Sequence, residues 1–324
     1  MFRTELDPQP SSWTITHDSP TLTIGSCFSG CMGHRFEKNK FPVLSNPFGT
    51  VYNPISIFKL LGYAIDNSDP SESHFIETQD LWVHLDFHSK FSSTDKVALE
   101  QGTRHAIQNT HQFLKTAKYL VVTLGTALVY KSKTSGEIVA NCHKIPAREF
   151  SKHFLTQKQV VEAFSGLLEK LAHFNTSLRL IVTVSPVRHI KDSLEVNAVS
   201  KSLLRLACDT LASQYAHVSY FPSYEIMMDD LRDYRFYATD MIHPSEQAEE
   251  YIWNKFASVY FNSETQALLK KWSSIQNALE HRPFNPSSGA HQKFIRQTIQ
   301  RVQELSDKFD ITRELDRLKK QLVS

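Results

Sequence analysis

The stretch Thr21-Leu-Thr-Ile-Gly-Ser-Cys-Phe-Ser-Gly30 decides how the rest of the chain is read. A short β-type run, Thr21 to Ile24, ends in Gly25-Ser26, and a helical segment follows. Gly25 permits a sharp turn, and the start of the helix supplies free N–H groups and the positive end of a dipole. In open α/β sheets, ligands bind beyond the carboxyl ends of the strands. Ser26 thus stands where a nucleophilic hydroxyl and its oxyanion would be needed. Alone, a Gly-Ser after a strand is more often a turn and an N-cap.

Outward from this stretch the chain alternates between two patterns. Tyr119 to Leu124, Leu178 to Val184 and His217 to Phe221 are β-type runs, several of them apolar on consecutive residues, as suits strands buried on both faces. Between them, helical patterns span about 94–116, 157–175, 194–215 and 246–261. The second of these repeats Val160, Val161, Phe164, Leu167, Leu168 and Leu171 at helical spacing. Strands alternating with helices predict a three-layer α/β/α sandwich around a parallel sheet. The alternating run Leu81 to Phe87 predicts a peripheral strand or hairpin arm. Leu128 to Tyr130 and Glu137 to Ala140, around Ser135-Gly136, predict a second hairpin. The sandwich is assigned to residues 1–261 and a helical extension to 262–324, with a breaker-rich linker near Arg282 to Gly289. In the extension, Ile295, Val302 and Phe309 are seven apart. That spacing favours a docked helix and leaves open a homodimer through a short coiled coil.

Bulk properties bound the function. With 324 residues, 41% of them hydrophobic, the chain can bury one sizeable core plus an appendage. A net charge of +2 with mixed signs gives no reason to expect a nucleic-acid or membrane-surface partner. The N-terminus lacks the apolar core of a secretory signal, and no run approaches the ~18 apolar residues of a membrane span. Four cysteines without a C-x-x-C pair do not point to an oxidising compartment, so a cytoplasmic location is expected.

A second motif carries chemistry: Thr239-Asp-Met-Ile-His-Pro-Ser245. Asp240 and His243, three apart in a Pro-bounded loop, can bring a carboxylate to the imidazole Nδ1. That fixes the tautomer and leaves Nε2 to act as a base. Ser245 is a plausible N-cap for the helix that follows.

Taken together, several segments resemble the GSCFA domain, a branch of the SGNH (GDSL-like) hydrolase superfamily. They are Gly25-Ser-Cys-Phe-Ser29, Asn46-Pro-Phe-Gly-Thr-Val-Tyr-Asn-Pro54, Thr123-Leu-Gly-Thr-Ala127, Asn141-Cys-His-Lys144, Ser185-Pro-Val-Arg-His189, Tyr234-Arg-Phe-Tyr237 and Asp240-Met-Ile-His-Pro244. Ser29 stands where the name-giving motif has alanine. The resemblance covers roughly residues 20 to 260. It implies a serine esterase with Ser26 as nucleophile, His243 as base and Asp240 as its orienting carboxylate. The substrate would be a small-molecule ester, with an acetylated sugar as one candidate. It also implies an oxyanion hole from the N–H groups of Ser26 and Gly49. The third-block asparagine is missing, and Thr126 stands nearest its place. One such donor is typically worth ~3 kcal/mol of barrier. Water or a second alcohol could resolve the acyl-enzyme, so an O-acyltransferase shares the machinery. A catalytically silent carbohydrate-binding or scaffold protein is the alternative from another class.

His143, Arg188 and His189 are candidate substrate contacts. Arg188 is equally able to pair with Asp229, Asp230 or Asp233. Cys27 reads as inert packing beside the nucleophile. His84, Asp86 and His88 share one strand face and are read as an exposed polar face rather than metal ligands. No metal or cofactor is expected.

Overall fold

A computed structural model describes residues 4–323. The elements run β1 (Thr21–Gly25), α1 (Cys27–Lys38), β2 (Val43–Ser45), α2 (Pro54–Asp66), β3 (Phe75–Thr78), β4 (Leu81–His84), α3 (Lys96–Thr116), β5 (Tyr119–Leu124), β6 (Leu128–Ser132), β7 (Ile138–Val139) and β8 (Phe150–Phe154). There follow α4 (Gln157–Phe174), β9 (Arg179–Val184), α5 (Leu194–Gln214), β10 (Val218–Tyr220), a short α6 (Ser223–Glu225), α7 (Glu246–Tyr260), α8 (Ser263–Glu280), α9 (Gly289–Gln303) and α10 (Thr312–Lys319).

The central sheet has five parallel strands in the order β10-β9-β5-β1-β2. β1 pairs with β2 on one side and β5 on the other, so the chain reverses its direction of winding between β1 and β5. That reversal is the topological switch point of an open α/β sheet. The strands are buried on both faces. Leu22, Ile24, Leu120, Val122, Leu180 and Val182 pack into the core with α2, α3, α4 and α5. Tyr119, Val121 and Ile181 pack on the opposite side with Phe28, Met32 and Phe36 of α1 and Ile252, Trp253 and Phe256 of α7. This is the three-layer α/β/α arrangement the consecutive apolar runs predict. β2 goes beyond that reading: it is a three-residue edge strand, too short and too half-buried to leave a pattern.

Both expected hairpins form. β4 pairs antiparallel with β3, and β6 pairs with β7, Tyr130 opposite Val139. β8 adds a third strand to the β6 sheet.

The three C-terminal helices have their own apolar cluster, including Trp272, Ile275, Ile295, Val302 and Leu318, with Phe309, Leu315 and Leu322 packed against it. The heptad-spaced residues that left a dimer seam open are thus used within the chain. The helical unit docks where α1 ends. Trp272 Nε1 donates to the Lys38 carbonyl (2.9 Å), Lys40 pairs with Glu314 (2.7 Å), and the His17 ring lies 5.4 Å from Phe309. α1 follows its N-cap Ser26 and ends at Lys38, so this contact lies at the end of α1 remote from the strand-end serine. Among the described residues, no helix is long and apolar enough to cross a membrane.

Candidate functional site

The turn at the end of β1 is held by its backbone. The Ser26 N–H donates to the Thr123 carbonyl on β5 (3.1 Å), and the Gly25 carbonyl accepts from Val51 (2.9 Å). Gly25 has φ +139°, and a Cβ there would fall 2.1 Å from the Thr123 carbonyl oxygen. Only glycine lets β1 approach β5 this closely and then turn. Ser26 is the N-cap of α1, yet its side chain caps nothing. The residue is 1% exposed and Oγ has no hydrogen-bond partner among the described residues. A buried hydroxyl without a partner calls for an explanation, and a reacting group is one.

The Asp240–His243 loop is built around its carboxylate. Asp240 Oδ1 accepts the N–H groups of Ile242 (2.9 Å) and His243 (3.0 Å), and Oδ2 lies 2.7 Å from His243 Nδ1. The His243 N–H, then the Ile242 N–H and the imidazole, hold the Asp240 carboxyl down at about 2. An ionised carboxylate can only accept, so Nδ1 carries the proton and Nε2 is left as a base. Both side chains are nearly half exposed (43% and 46%) and open to a ligand. Ser245 caps α7, accepting from Ala248 (3.2 Å). The loop is stitched to the segment after β9, because Arg188 N–H donates to the Ile242 carbonyl (3.2 Å). The His243 loop is thus tied to the segment that follows β9, and Ser26 Oγ and His243 Nε2 are not hydrogen-bonded to each other.

The N–H groups expected to hold an oxyanion are spent inside the chain, which corrects that assignment. Ser26 N–H goes to Thr123, Gly49 N–H to the Asn46 carbonyl (2.8 Å), and Thr126 N–H to the Tyr52 carbonyl (3.1 Å). Thr126 Oγ1 accepts from Leu128 and meets Ser200 Oγ. Gly49 is required for another reason: at φ +78° its missing Cβ would fall 2.3 Å from the His88 Cβ. The first turn of α1 differs. The Cys27 and Phe28 N–H groups have no acceptor among the described residues. They are two of the donors every helix leaves open at its start.

The candidate substrate contacts fare differently from one another. His143 is buried and its Nε2 lies 2.9 Å from the His84 carbonyl, so that nitrogen is turned inward. The Arg188 guanidinium lies over Tyr237 (4.1 Å) and Tyr234 (5.0 Å), so it is engaged with aromatic faces rather than held open for an anion. His189 is fixed through its N–H to Asn197 Oδ1 (2.9 Å), with its ring edge-on to Tyr52 at 6.2 Å. Cys27 Sγ lies 3.5 Å from the Tyr52 hydroxyl. All four cysteines are free.

The reading of His84, Asp86 and His88 as an exposed face is overturned. His84 and Asp86 are buried, and His74, not His88, completes the group. The strand ends at His84, so the alternation does not continue to 88. His74 Nδ1 lies 3.0 Å from Asp86 Oδ2, Lys59 Nζ donates to Oδ1 (3.1 Å), His84 Nδ1 accepts the Asp86 N–H, and His84 Nε2 faces the Ser71 carbonyl. The three could surround a cation by proximity, but Lys59 already neutralises the carboxylate and three of the four ring nitrogens hold close hydrogen bonds. The group is a closed polar network that ties the β3–β4 hairpin to α2.

One residue goes unremarked in the sequence reading. Lys201 on α5 is 1% exposed, and its Nζ donates to the carbonyls of Gly125 and Ser185, both at 2.8 Å. These follow β5 and β9 at the same edge. Burial pushes the amine down to about 7. Asn197, Ser200 and Lys201 together present one face of α5 to this edge, Ser200 Oγ accepting from Ala127 (2.7 Å). The signal was present: Lys201 recurs with Leu204, Cys208 and Leu211 at helical spacing, on the buried stripe.

An open, doubly wound α/β protein with a serine at its switch point and an aspartate-held histidine at the same edge is the class this geometry defines. The chain belongs to the GSCFA family: the GSCFA family model matches residues 20–256, and the model for the GSCFA domain protein, C-terminal domain, matches residues 272–324. No curated protein matches the chain.

Proposed function

We propose that this chain is a serine esterase of the SGNH type that removes an acyl group, acetyl in the simplest case, from a carbohydrate or small polar metabolite. Ser26 Oγ attacks the ester carbonyl while His243 Nε2 takes its proton. Asp240 stabilises the imidazolium. The tetrahedral oxyanion is held by the Cys27 and Phe28 N–H groups at the positive end of α1, in place of the donors that are engaged elsewhere. His243 returns the proton to the departing alkoxide, and the acyl-enzyme is hydrolysed by water that His243 activates in turn.

One observation carries this reading: the 2.7 Å contact between Asp240 Oδ2 and His243 Nδ1, on a loop bonded to the strand-end edge that also holds the unpartnered Ser26 hydroxyl. A second reading, a silent carbohydrate-binding protein on the same fold, is favoured by the engagement of the Ser26, Gly49 and Thr126 N–H groups.

The two are separated by hydrolysis of short-chain p-nitrophenyl esters in EDTA. The esterase reading expects turnover of the acetate, and a loss of at least ~1,000-fold in both Ser26→Ala and His243→Ala. A wild type that is inert to these esters and to acetylated sugars, and whose Ser26 a fluorophosphonate probe fails to label, establishes the binding role instead.

A further inference from the structure

Beside the Ser26 turn lies a cleft of ≈ 520 Å³. It shares the Thr50–Tyr52 loop with that turn. Val51, between them, donates to the Gly25 carbonyl, and the Tyr52 hydroxyl meets Cys27 Sγ. The other walls come from the β6–β8 sheet and the turn through Asn141 and Lys144.

The cleft is positive and aromatic. Lys144, Lys152 and Lys191 line it, and no carboxylate does. The Lys152 and Lys191 ammonium groups share the Tyr130 ring, at 5.4 and 5.8 Å. Lys152 pairs with Asp192, which does not line the cleft. Among the described residues, Lys144 and Lys191 have no ion-pair partner. Burial pushes His88 and His143 below the usual histidine range, so at neutral pH the positive charge comes from the lysines. His143 and Lys144 both have positive φ, 47° and 61°, a costly backbone for two successive non-glycine residues. That strained turn carries Lys144 to the cleft.

Lys144 and Lys191 stand unpaired beside the Asp192-paired Lys152, so the cavity keeps an excess of positive charge, and an anion among these ammonium groups offsets it. Tyr52 and Tyr130 add amphipathic ring surface of the kind that packs against a sugar. We propose that this cleft is the subsite for an anionic group on the alcohol portion of the substrate, so that the ester cleaved is that of an acidic sugar. The proposal rests on the esterase reading and narrows its substrate class. Carboxylate and phosphate share the chemistry that three lysines recognise.

The test is binding, which needs no turnover. The full chain carrying Ser26→Ala is titrated with acetylated galacturonate, acetylated galactose 6-phosphate and acetylated galactose. The expected result is at least tenfold tighter binding of one or both anionic esters at low salt, with the preference shrinking severalfold as salt rises. Whichever anion binds more tightly identifies the group. In the Lys144→Glu/Lys191→Glu form the preference reverses, and in Lys144→Gln/Lys191→Gln it falls to near parity, with circular dichroism and melting temperature checking that both variants fold. Equal binding of the three esters, or a preference that survives charge reversal, overturns the subsite. Parallel turnover by wild type keeps the two ideas apart. Neutral acetates cleaved as fast as acidic ones sink the subsite alone. Preferential binding of the anions without any hydrolysis keeps an anion site and sinks the esterase.

Discussion

Lys201 Nζ lies 2.8 Å from the Gly125 carbonyl oxygen, at the end of β5 and under the turn that neighbours the candidate nucleophile. The second contact, to Ser185 after β9, makes this side chain a tie between the ends of two neighbouring strands. Two carbonyls need two N–H donors, which a neutral amine also has. The site therefore tolerates the loss of a proton that burial makes costly.

The depressed Lys201 value has a pH signature. The ordinary value is 10.5 and the folded value about 7, so between these the unfolded chain binds a proton that the native chain does not. Stability then rises with pH through that window and falls as pH drops back toward 7. Relative to Lys201→Met, wild type should gain about 3 kcal/mol of unfolding free energy between pH 7 and 9.5, at 1.36 kcal/mol per unit. Urea denaturation of both proteins at the two pH values measures this. A constant difference would mean that the ammonium stays charged when buried.

Asp240 stays ionised far below neutrality, because two backbone N–H groups and the imidazole hold it. Asp240→Asn keeps the shape but offers Nδ1 a donor in place of an acceptor. We expect kcat on an aryl acetate to fall by about 10²–10⁴ with KM little changed, as when an orienting carboxylate is lost from a triad. An equal rise in KM with kcat intact would show that Asp240 serves binding instead.

Gly25→Ala puts a methyl 2.1 Å from the Thr123 carbonyl oxygen at a φ of +139°. The β1–β5 contact must open, and Ser26 moves with it. Destabilisation of about 2–4 kcal/mol is expected, together with loss of fluorophosphonate labelling. A variant with wild-type melting temperature and labelling would remove the claim that this glycine sets the turn.

Arg188 packs behind the loop that carries the histidine. Its ring contacts are to Tyr234 and Tyr237, and Tyr237 bridges to Pro244, next to His243. Arg188→Lys keeps the charge but loses the planar stack. It should destabilise the fold by about 0.5–2 kcal/mol of lost cation–π contact, read as a lower melting temperature, and reduce kcat for neutral and anionic esters alike. A rise in KM confined to anionic esters would return Arg188 to the role of an anion contact.

What was legible locally came from periodicity and turn chemistry. The apolar runs at 119–124 and 178–184 mark central strands because a strand covered on both faces leaves no polar alternate positions. Helix bounds fall within a residue or two of expectation, as at Gln157–Phe174, because the apolar residues recur at helical spacing and Thr156 caps the start. The limits appear where burial depends on a partner far along the chain. His84 and Asp86 read as a solvent-facing pair, since nothing nearby reveals that His74 and Lys59 would meet them. The Ser26 and Thr126 N–H groups were lost in a similar way, to the Thr123 and Tyr52 carbonyls that only the folded loops bring into range, whereas the Gly49 N–H closes a local turn onto Asn46.

By itself, then, the sequence determined the layered α/β fold, the glycine-serine turn at the end of β1 and the Asp240–His243 pair, because each depends on residues within one strand, turn or loop. The tertiary structure decided which backbone donors remain open at α1, which two strand-end carbonyls the buried Lys201 ties together, and that three lysines from separate segments share one cleft. Those are matters of long-range hydrogen bonding and desolvation, and no local spacing encodes them.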